Sequence, residues 1–131
     1  MSLSLNELQK AVYAALNGSS LLTSKIFDNV PEGQAFPYVQ IGHDEPKDWS
    51  TATFRGYDVS LVVETFARGR GELETKQYMD EVHRLLDRAE LAMSGQQMIL
   101  CVYDTGRVDT EPDGVTFHGT QRFRTLIQEV P

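Results

Sequence analysis

Two stretches of the chain repeat apolar residues at helical spacing, and several others alternate apolar with polar residues. In the first stretch, leucine and valine recur every three or four residues from Leu5 to Leu16, after a Ser-x-x-Glu capping box that begins at Ser4. An Asn-Gly pair follows as a stop signal. The pattern predicts a helix over about residues 5–16.

The second helical stretch covers residues 71–88. Glutamates in its first turn and arginines near its end suit the helix dipole. Its apolar residues form one stripe that should pack on a core: Tyr78, Met79, Val82, Leu85, Leu86 and Ala89.

Period-two alternation predicts the strands. It is clearest over residues 57–66, where Val59 and Leu61 share one face while Asp58 and Ser60 share the other. The polar stretch from His43 to Thr53, which contains Pro46, predicts a long exposed loop. Further strands are predicted over residues 26–27, 37–43, 98–103 and 115–128.

The predicted elements follow the order α-β-β-β-α-β-β. Consecutive strands joined by hairpins favour an antiparallel sheet, and two amphipathic helices then pack on one of its faces. No linker or repeat divides the 131 residues, which is the length of one ordinary domain. The sequence therefore predicts an α+β fold, a single domain over residues 1–131 with a mainly antiparallel sheet.

Composition narrows the classes of function. The net charge of -7 argues against a protein that wraps the outside of a nucleic acid, which needs a basic surface, but is compatible with a wall past which DNA slides. The single cysteine excludes an internal disulfide and favours synthesis in a reducing compartment. The apolar runs are far shorter than a membrane span, and the N-terminus lacks the pattern of a signal peptide. We expect a soluble protein without membrane contact.

No residue cluster predicts catalysis, a metal or a cofactor. The three histidines lack the spacing of metal ligands. Cys101 lies in an apolar stretch, which predicts a buried structural thiol. Three carboxylates cluster in the predicted loop, at Asp44, Glu45 and Asp48. They could bind a cation or act as acid and base, but a solvated loop explains them equally well.

The same loop and two arginine pairs are candidates for contact with a protein partner. Trp49 could fold back on the core or anchor an interface. Arg68 and Arg70 lie in a Gly-rich turn before the second helix, and we expect them to be free for the acidic surface of a partner. Arg122 and Arg124 share one strand face and could pair with acidic residues across a subunit boundary.

A series of turn and strand motifs runs along nearly the whole chain: Leu8–Leu16, Val30–Gly33, Phe36–Gly42, Asp48–Thr51, Tyr57–Phe66, Asp113–Gly114, His118–Gly119 and Arg122–Arg124. In this order and spacing they resemble the small tail-completion or tail-terminator proteins of long-tailed phages and gene transfer agents.

The resemblance implies a structural virion protein that is not an enzyme and has no cofactor. It implies assembly as a ring, typically a hexamer, that caps the tail tube, stops its polymerisation and docks the head connector. The implied partners are further copies of the chain, the tail tube protein and the head connector or stopper protein, while DNA passes through the lumen without sequence-specific binding. The implied location is the tail of a virion or gene transfer agent particle, after synthesis in the host cytoplasm.

Two other readings stay open at the level of sequence. One is a small α+β domain that binds a ligand or performs chemistry with the loop from Asp44 to Trp49. The other is a soluble adaptor that binds one protein partner as a monomer or dimer. A pocket lined by clustered carboxylates would favour the first of these.

Overall fold

Four long antiparallel strands form the centre of one six-stranded sheet, and a two-residue strand lies at each edge. The computed structural model describes residues 5–69 and 72–130. The elements in chain order are α1 (Leu5–Asn17), β1 (Ile26–Phe27), β2 (Tyr38–Asp48), β3 (Gly56–Arg68), α2 (Leu73–Leu86), β4 (Ala92–Met93), β5 (Gln96–Thr110) and β6 (Thr116–Glu129). Across the sheet the strand order is β1-β2-β3-β6-β5-β4.

This architecture confirms the predicted α+β fold. The sheet is antiparallel except where β1 pairs with β2, and it carries two helices. Strand β4, two residues long, was not predicted. Strand β5 runs well past the predicted end at Tyr103, since its second half is polar on both faces and resembles a loop in sequence.

The core lies between the helices and one face of the sheet. On β3 this face carries Val59, Leu61 and Val63, and on β6 it carries Phe123 and Ile127, all at most 1% exposed. Helix α1 adds Leu8, Val12 and Leu16, and helix α2 adds Tyr78, Val82 and Leu86. The predicted helical stripes and the predicted faces of residues 57–66 are therefore those that the fold uses.

Helix α2 approaches the sheet closely at β6. The Gln121 side chain donates a hydrogen bond of 3.0 Å from Nε2 to the Met79 carbonyl oxygen. A side chain at Gly119 would meet Met79 and Thr75, so this position accepts the helix because it has no Cβ. The Lys25 ammonium and the Tyr78 hydroxyl, 2.6 Å apart, join the segment after α1 to the same helix.

The predicted exposed loop from His43 to Thr53 is wrong in its first half. Strand β2 continues to Asp48 and pairs with β3, with a bulge between Gly42 and Glu45. Gly42 and His43 take positive φ values of 123° and 60°, which make the bulge. The stretch is polar because it lies at the sheet edge with little of it buried, and polar composition alone does not distinguish an edge strand from a loop.

Candidate partner-binding surfaces

Three of the predicted contact residues meet on the sheet face opposite the helices, called here the uncovered face. Glu45 lies on β2, and Arg122 and Arg124 lie on β6; together they line one shallow groove of about 330 Å³. The other lining residues are Lys47, Asp58, Ser60 and Asp104. The groove thus holds acidic and basic groups side by side, which suits a charged protein surface better than a small apolar ligand.

Arg124 is the most strongly held cation of this groove. Its Nε and Nη2 atoms lie 3.1 and 3.0 Å from Asp58 Oδ2, across the β3–β6 pair. The hydrogen bonds and charge of Asp58, together with the charge of Asp104, raise the pKa of the Arg124 guanidinium. Within the described part of the chain, the Arg122 side chain makes one long contact, of 3.4 Å to the Ser60 hydroxyl, so it is the more available of the two arginines for a partner.

Arg68 lies at the other end of the sheet and does not join this groove. Its Nε donates a hydrogen bond of 2.8 Å to Thr116 Oγ1, and its Nη2 lies 3.6 Å from Asp113 Oδ2. Its guanidinium also covers the Phe36 ring at 4.2 Å. The prediction of a free side chain is therefore wrong for Arg68, because three groups of its own chain hold it. Arg70, predicted with it, lies outside the described residues.

Asp44 lies in the β2 bulge and is half-buried, so it is not the solvated loop carboxylate that the sequence predicts. Burial raises the pKa of this carboxyl, against the opposing effects of the Val62 backbone and of His43. Its Oδ1 is buried without a hydrogen-bond partner among the described residues. The predicted carboxylate cluster is thus divided, with Asp44 turned inward and Glu45 on the uncovered face.

Asp48 and Trp49 begin the tight connection between β2 and β3. The Asp48 carboxylate accepts hydrogen bonds from the Ser50 hydroxyl and backbone N–H, and these bonds lower the Asp48 pKa. Trp49 packs edge-on against Phe54 with ring centroids 5.6 Å apart, and about a third of it stays exposed. The indole thus packs on a residue of its own connection and not on the core, and its exposed part leaves the role of interface anchor as a prediction.

Sequence reasoning missed the cross-strand partners of the uncovered face. Lys47, Asp58 and Asp104 come from three strands, and only the strand order brings them together. It also missed a second cluster on this face, where His118 lies between Glu64 (3.4 Å) and Glu111 (3.1 Å) and stacks on Phe66. The alternation of charged residues on β3 and β6 was the available signal, but it does not reveal the register.

The remaining predicted features have plain structural roles. Cys101 is buried, and desolvation raises the pKa of its thiol to about 12, which confirms the prediction of a buried cysteine. The described residues hold no group of three or more His, Cys, Asp or Glu that could bind a metal ion. Neither helix of the described chain has the length and hydropathy needed to cross a bilayer.

Comparisons with known proteins agree with the architecture. A family model described as tail completion protein gp17 matches residues 8–128. Among solved structures, a chain of the "virion of native gene transfer agent (GTA) particle" matches with a TM-score of 0.88 and 23% identity, over 94% of this chain and 96% of that chain. No curated protein matches.

The family match covers most of α1, nearly all of β6 and every element between them, so it concerns the whole fold and not one motif. It agrees with the resemblance that the turn and strand motifs carry. The chain belongs to the tail completion protein gp17 family, and it is a structural protein of the virion tail.

Proposed function

We propose that this protein is a tail-terminator subunit that forms a ring, typically of six copies, on the head-proximal end of the tail tube. The ring ends tube polymerisation and presents the surface on which the head connector docks. The observation that carries the proposal is the family match over residues 8–128. The likeness of fold to a virion chain, over nearly the full length of both, supports it.

The charge distribution suits this role. With a net charge of -7, free copies repel one another and stay dispersed until a tail end provides a template. The same excess of negative charge disfavours adhesion of phosphates, so DNA can pass through the lumen without being held. In this role the protein needs no catalytic group, and the described residues of the uncovered face form ion pairs and hydrogen bonds suited to docking.

The proposed contacts with partners lie on the uncovered face, at Glu45, Arg122 and Arg124, and at the β2–β3 connection, at Asp48 and Trp49. Asp44 borders the uncovered face from the β2 bulge. Arg68 offers a separate surface at the other end of the sheet, and Arg70 is two residues further along the sequence. A ring subunit needs two different surfaces that fit each other, since each copy touches one neighbour on either side. The sheet has β1 and β2 at one edge and β5 and β4 at the other, so it offers two different surfaces to the two neighbours.

A gene deletion tests the proposal. Particles made without this protein should appear in electron micrographs as filled heads separated from tails, or with tails of uncontrolled length. Complementation by the wild-type gene should restore joined particles of uniform tail length. Normal tail length and normal joining in the deletion strain would overturn the assignment as a tail terminator.

A further inference from the structure

One edge of the sheet is open along most of β2. Strand β1 pairs only with Val39 and Gln40, so the stretch Ile41–Asp48 has β3 on one side and no strand on the other within the described chain. An open strand edge presents unpaired backbone donors and acceptors to any strand that can align with it. The stretch is eight residues long; the bulge between Gly42 and Glu45 interrupts it, and Pro46 offers only its carbonyl oxygen because it has no N–H, so a ladder here would be short.

The opposite edge is open along the second half of β5. Strand β4 pairs with Gln96 and Gln97. Beyond it, the Arg88 N–H donates to the Cys101 carbonyl oxygen at 2.6 Å, and Asp87 Oδ1 accepts from the Tyr103 N–H at 2.9 Å. The chain that follows α2 therefore covers β5 as far as Tyr103. From Asp104 to Thr110 β5 pairs with β6 on one side and with no other described strand.

We propose that neighbouring copies in the ring join through these two edges, with residues 104–110 of one copy pairing with Ile41–Asp48 of the next. The proposal rests on the ring of the proposed function and names its subunit contact. The four long strands alternate in direction, so β5 and β2 run antiparallel. A rotation about the ring axis preserves this relation, and the two edges meet as an antiparallel pair with both uncovered faces on the same side.

One pair of opposite charges supports a particular register. Placing Lys47 opposite Thr105 aligns the two open stretches and sets Glu45 opposite Arg107, whose guanidinium lies 2.8 Å from Asp109 of its own strand. It also sets His43, whose ring lies 3.7 Å from Glu64, opposite Asp109. Opposite charges directly across an antiparallel pair are favourable. Glu45 and Lys47 are exposed and make no ion pair or side-chain hydrogen bond within the described chain, although both extend from a well-paired strand.

The side chains in this register also share one face. Thr105 and Arg107 lie opposite Arg122 and Thr120 of β6, on the uncovered face. Glu45 and Lys47 lie opposite Ser60 and Asp58 of β3, on the same face. A shift of one residue would turn each set toward the wrong side of the joined sheet.

In this register, the β5 edge of one copy is shifted along the strand direction relative to its own β2 edge, by an amount typical of closed barrels. Within one copy, successive strand pairings connect Thr105 to Gly42: Thr105 pairs with Arg122, Arg122 with Val62, and Val62 with Gly42. The proposed partner Lys47 lies level with Asp58, four residues along β3 from Val62. Four residues over four long strands is a stagger of about one residue per strand, as in eight-stranded barrels of shear 8, whose strands tilt by about 36°. Pairing of the open edges with this stagger is therefore compatible with a sheet that closes into a ring wall.

Disulfide trapping in assembled tails tests the pairing. Residues directly opposite on paired strands lie about 4.5–5.5 Å apart, within the range of a disulfide. The variant Lys47→Cys/Thr105→Cys should give, after mild oxidation of purified tails, a ladder of covalent oligomers on a non-reducing gel. Buried Cys101 can stay in place.

Matched controls use the same edge. The pair Lys47→Cys/Ile99→Cys places an exposed thiol six residues further along β5, roughly 20 Å from the trapping position, and should give monomer. Each single variant should also stay monomeric. A dimer from Thr105→Cys alone would mean two-fold pairing of β5 with β5 and would overturn the proposal.

Charge exchange gives a second measurement that does not depend on cross-linking. Glu45→Arg or Arg107→Glu alone should lower the yield of joined particles by about fivefold or more, and the two together should restore it to within about twofold of wild type. Wild-type yields from both single variants would overturn the pairing.

The two hypotheses fail differently. If the wild-type protein is present in purified tails and the deletion strain is defective, but the Lys47/Thr105 pair gives no ladder, only the edge pairing is overturned. If the wild-type protein is absent from purified tails, the proposed function fails, and the edge pairing fails with it.

Discussion

Arg68 and Thr116 face each other across β3 and β6, with the guanidinium Nε 2.8 Å from the threonine hydroxyl oxygen. The same guanidinium covers Phe36 and approaches Asp113, so one side chain joins the end of β3, the loop before β2 and the turn before β6. Arg68, which the sequence predicts as a docking residue, therefore also stabilises this end of the sheet.

Arg68→Glu should lower the free energy of unfolding by about 1–2 kcal/mol, because it removes the bond to Thr116 and the contact with Phe36 and brings a carboxylate toward Asp113. Lys47→Glu reverses the charge of another exposed cation and should change stability by less than about 0.5 kcal/mol. Urea unfolding followed by circular dichroism compares the two. Equal urea midpoints for the two variants would show that the contacts of Arg68 do not stabilise the fold.

Asp113 should titrate far below an ordinary aspartate. Its carboxylate accepts hydrogen bonds from the Thr116 hydroxyl and from the Val115 and Thr116 N–H groups, which lower its pKa to about 2. Because the folded pKa lies below the unfolded value of 3.8, the stabilisation is complete above about pH 4 and is lost as the pH falls toward 2. Asp113→Asn should flatten this part of the stability profile. An NMR titration of the Asp113 carboxyl with a midpoint near 4 would contradict the structure.

Gly119→Ala should destabilise the fold. The added methyl group would meet Met79 Sδ and lie 3.2 Å from Thr75 Cγ2, so α2 would have to shift from β6. We expect a loss of about 1–3 kcal/mol in thermal unfolding. Gly69→Ala is the matched control, since no atom of the described residues lies within 4 Å of its Cβ position, and the change should be neutral or slightly stabilising. Equal melting temperatures for the two variants would mean that the close approach is absent.

Cys101 should react with thiol reagents far more slowly in the native than in the unfolded protein. With a pKa of about 12, only about one thiol in ten thousand is ionised at pH 8. Because the folded pKa lies above the unfolded value of 9.0, the stabilisation holds below pH 9 and is lost as the pH rises toward 12. Cys101→Ala should remove this part of the alkaline loss. Thr105→Cys, which exposes a thiol, supplies the fast-reacting control.

Val82→Asp should unfold the domain. Val82 is fully buried on the stripe of α2 that packs on the sheet, and a carboxylate there would have no partner. The expected cost, about 3–5 kcal/mol, is a large part of the stability of a domain this size. Gln77→Asp, at an exposed position of the same helix, should fold normally. A cooperative unfolding transition near the wild-type midpoint for Val82→Asp would contradict the packing.

The predicted elements and the observed ones agree where burial imposes a period. Helices α1 and α2 and strands β3 and β6 each bury one face, so the apolar spacing in the sequence reports their geometry directly. The prediction failed at β2 and β5, whose polar halves lie at sheet edges. There the strand is held by backbone hydrogen bonds to one neighbouring strand, and the pattern of apolar and polar side chains does not indicate a strand.

The sequence by itself determined the fold class, the buried faces and the family, because these depend on periodicity and on motifs that are local in the chain. Only the tertiary structure decided which charged residues meet. Arg124 and Asp58 are 66 positions apart, and Glu45, Arg122 and Asp104 share a groove because β2, β3, β6 and β5 lie side by side in that order. Strand order and register follow from the packing of the whole sheet. The partner surfaces and the open edges of this protein therefore exist only once it has folded.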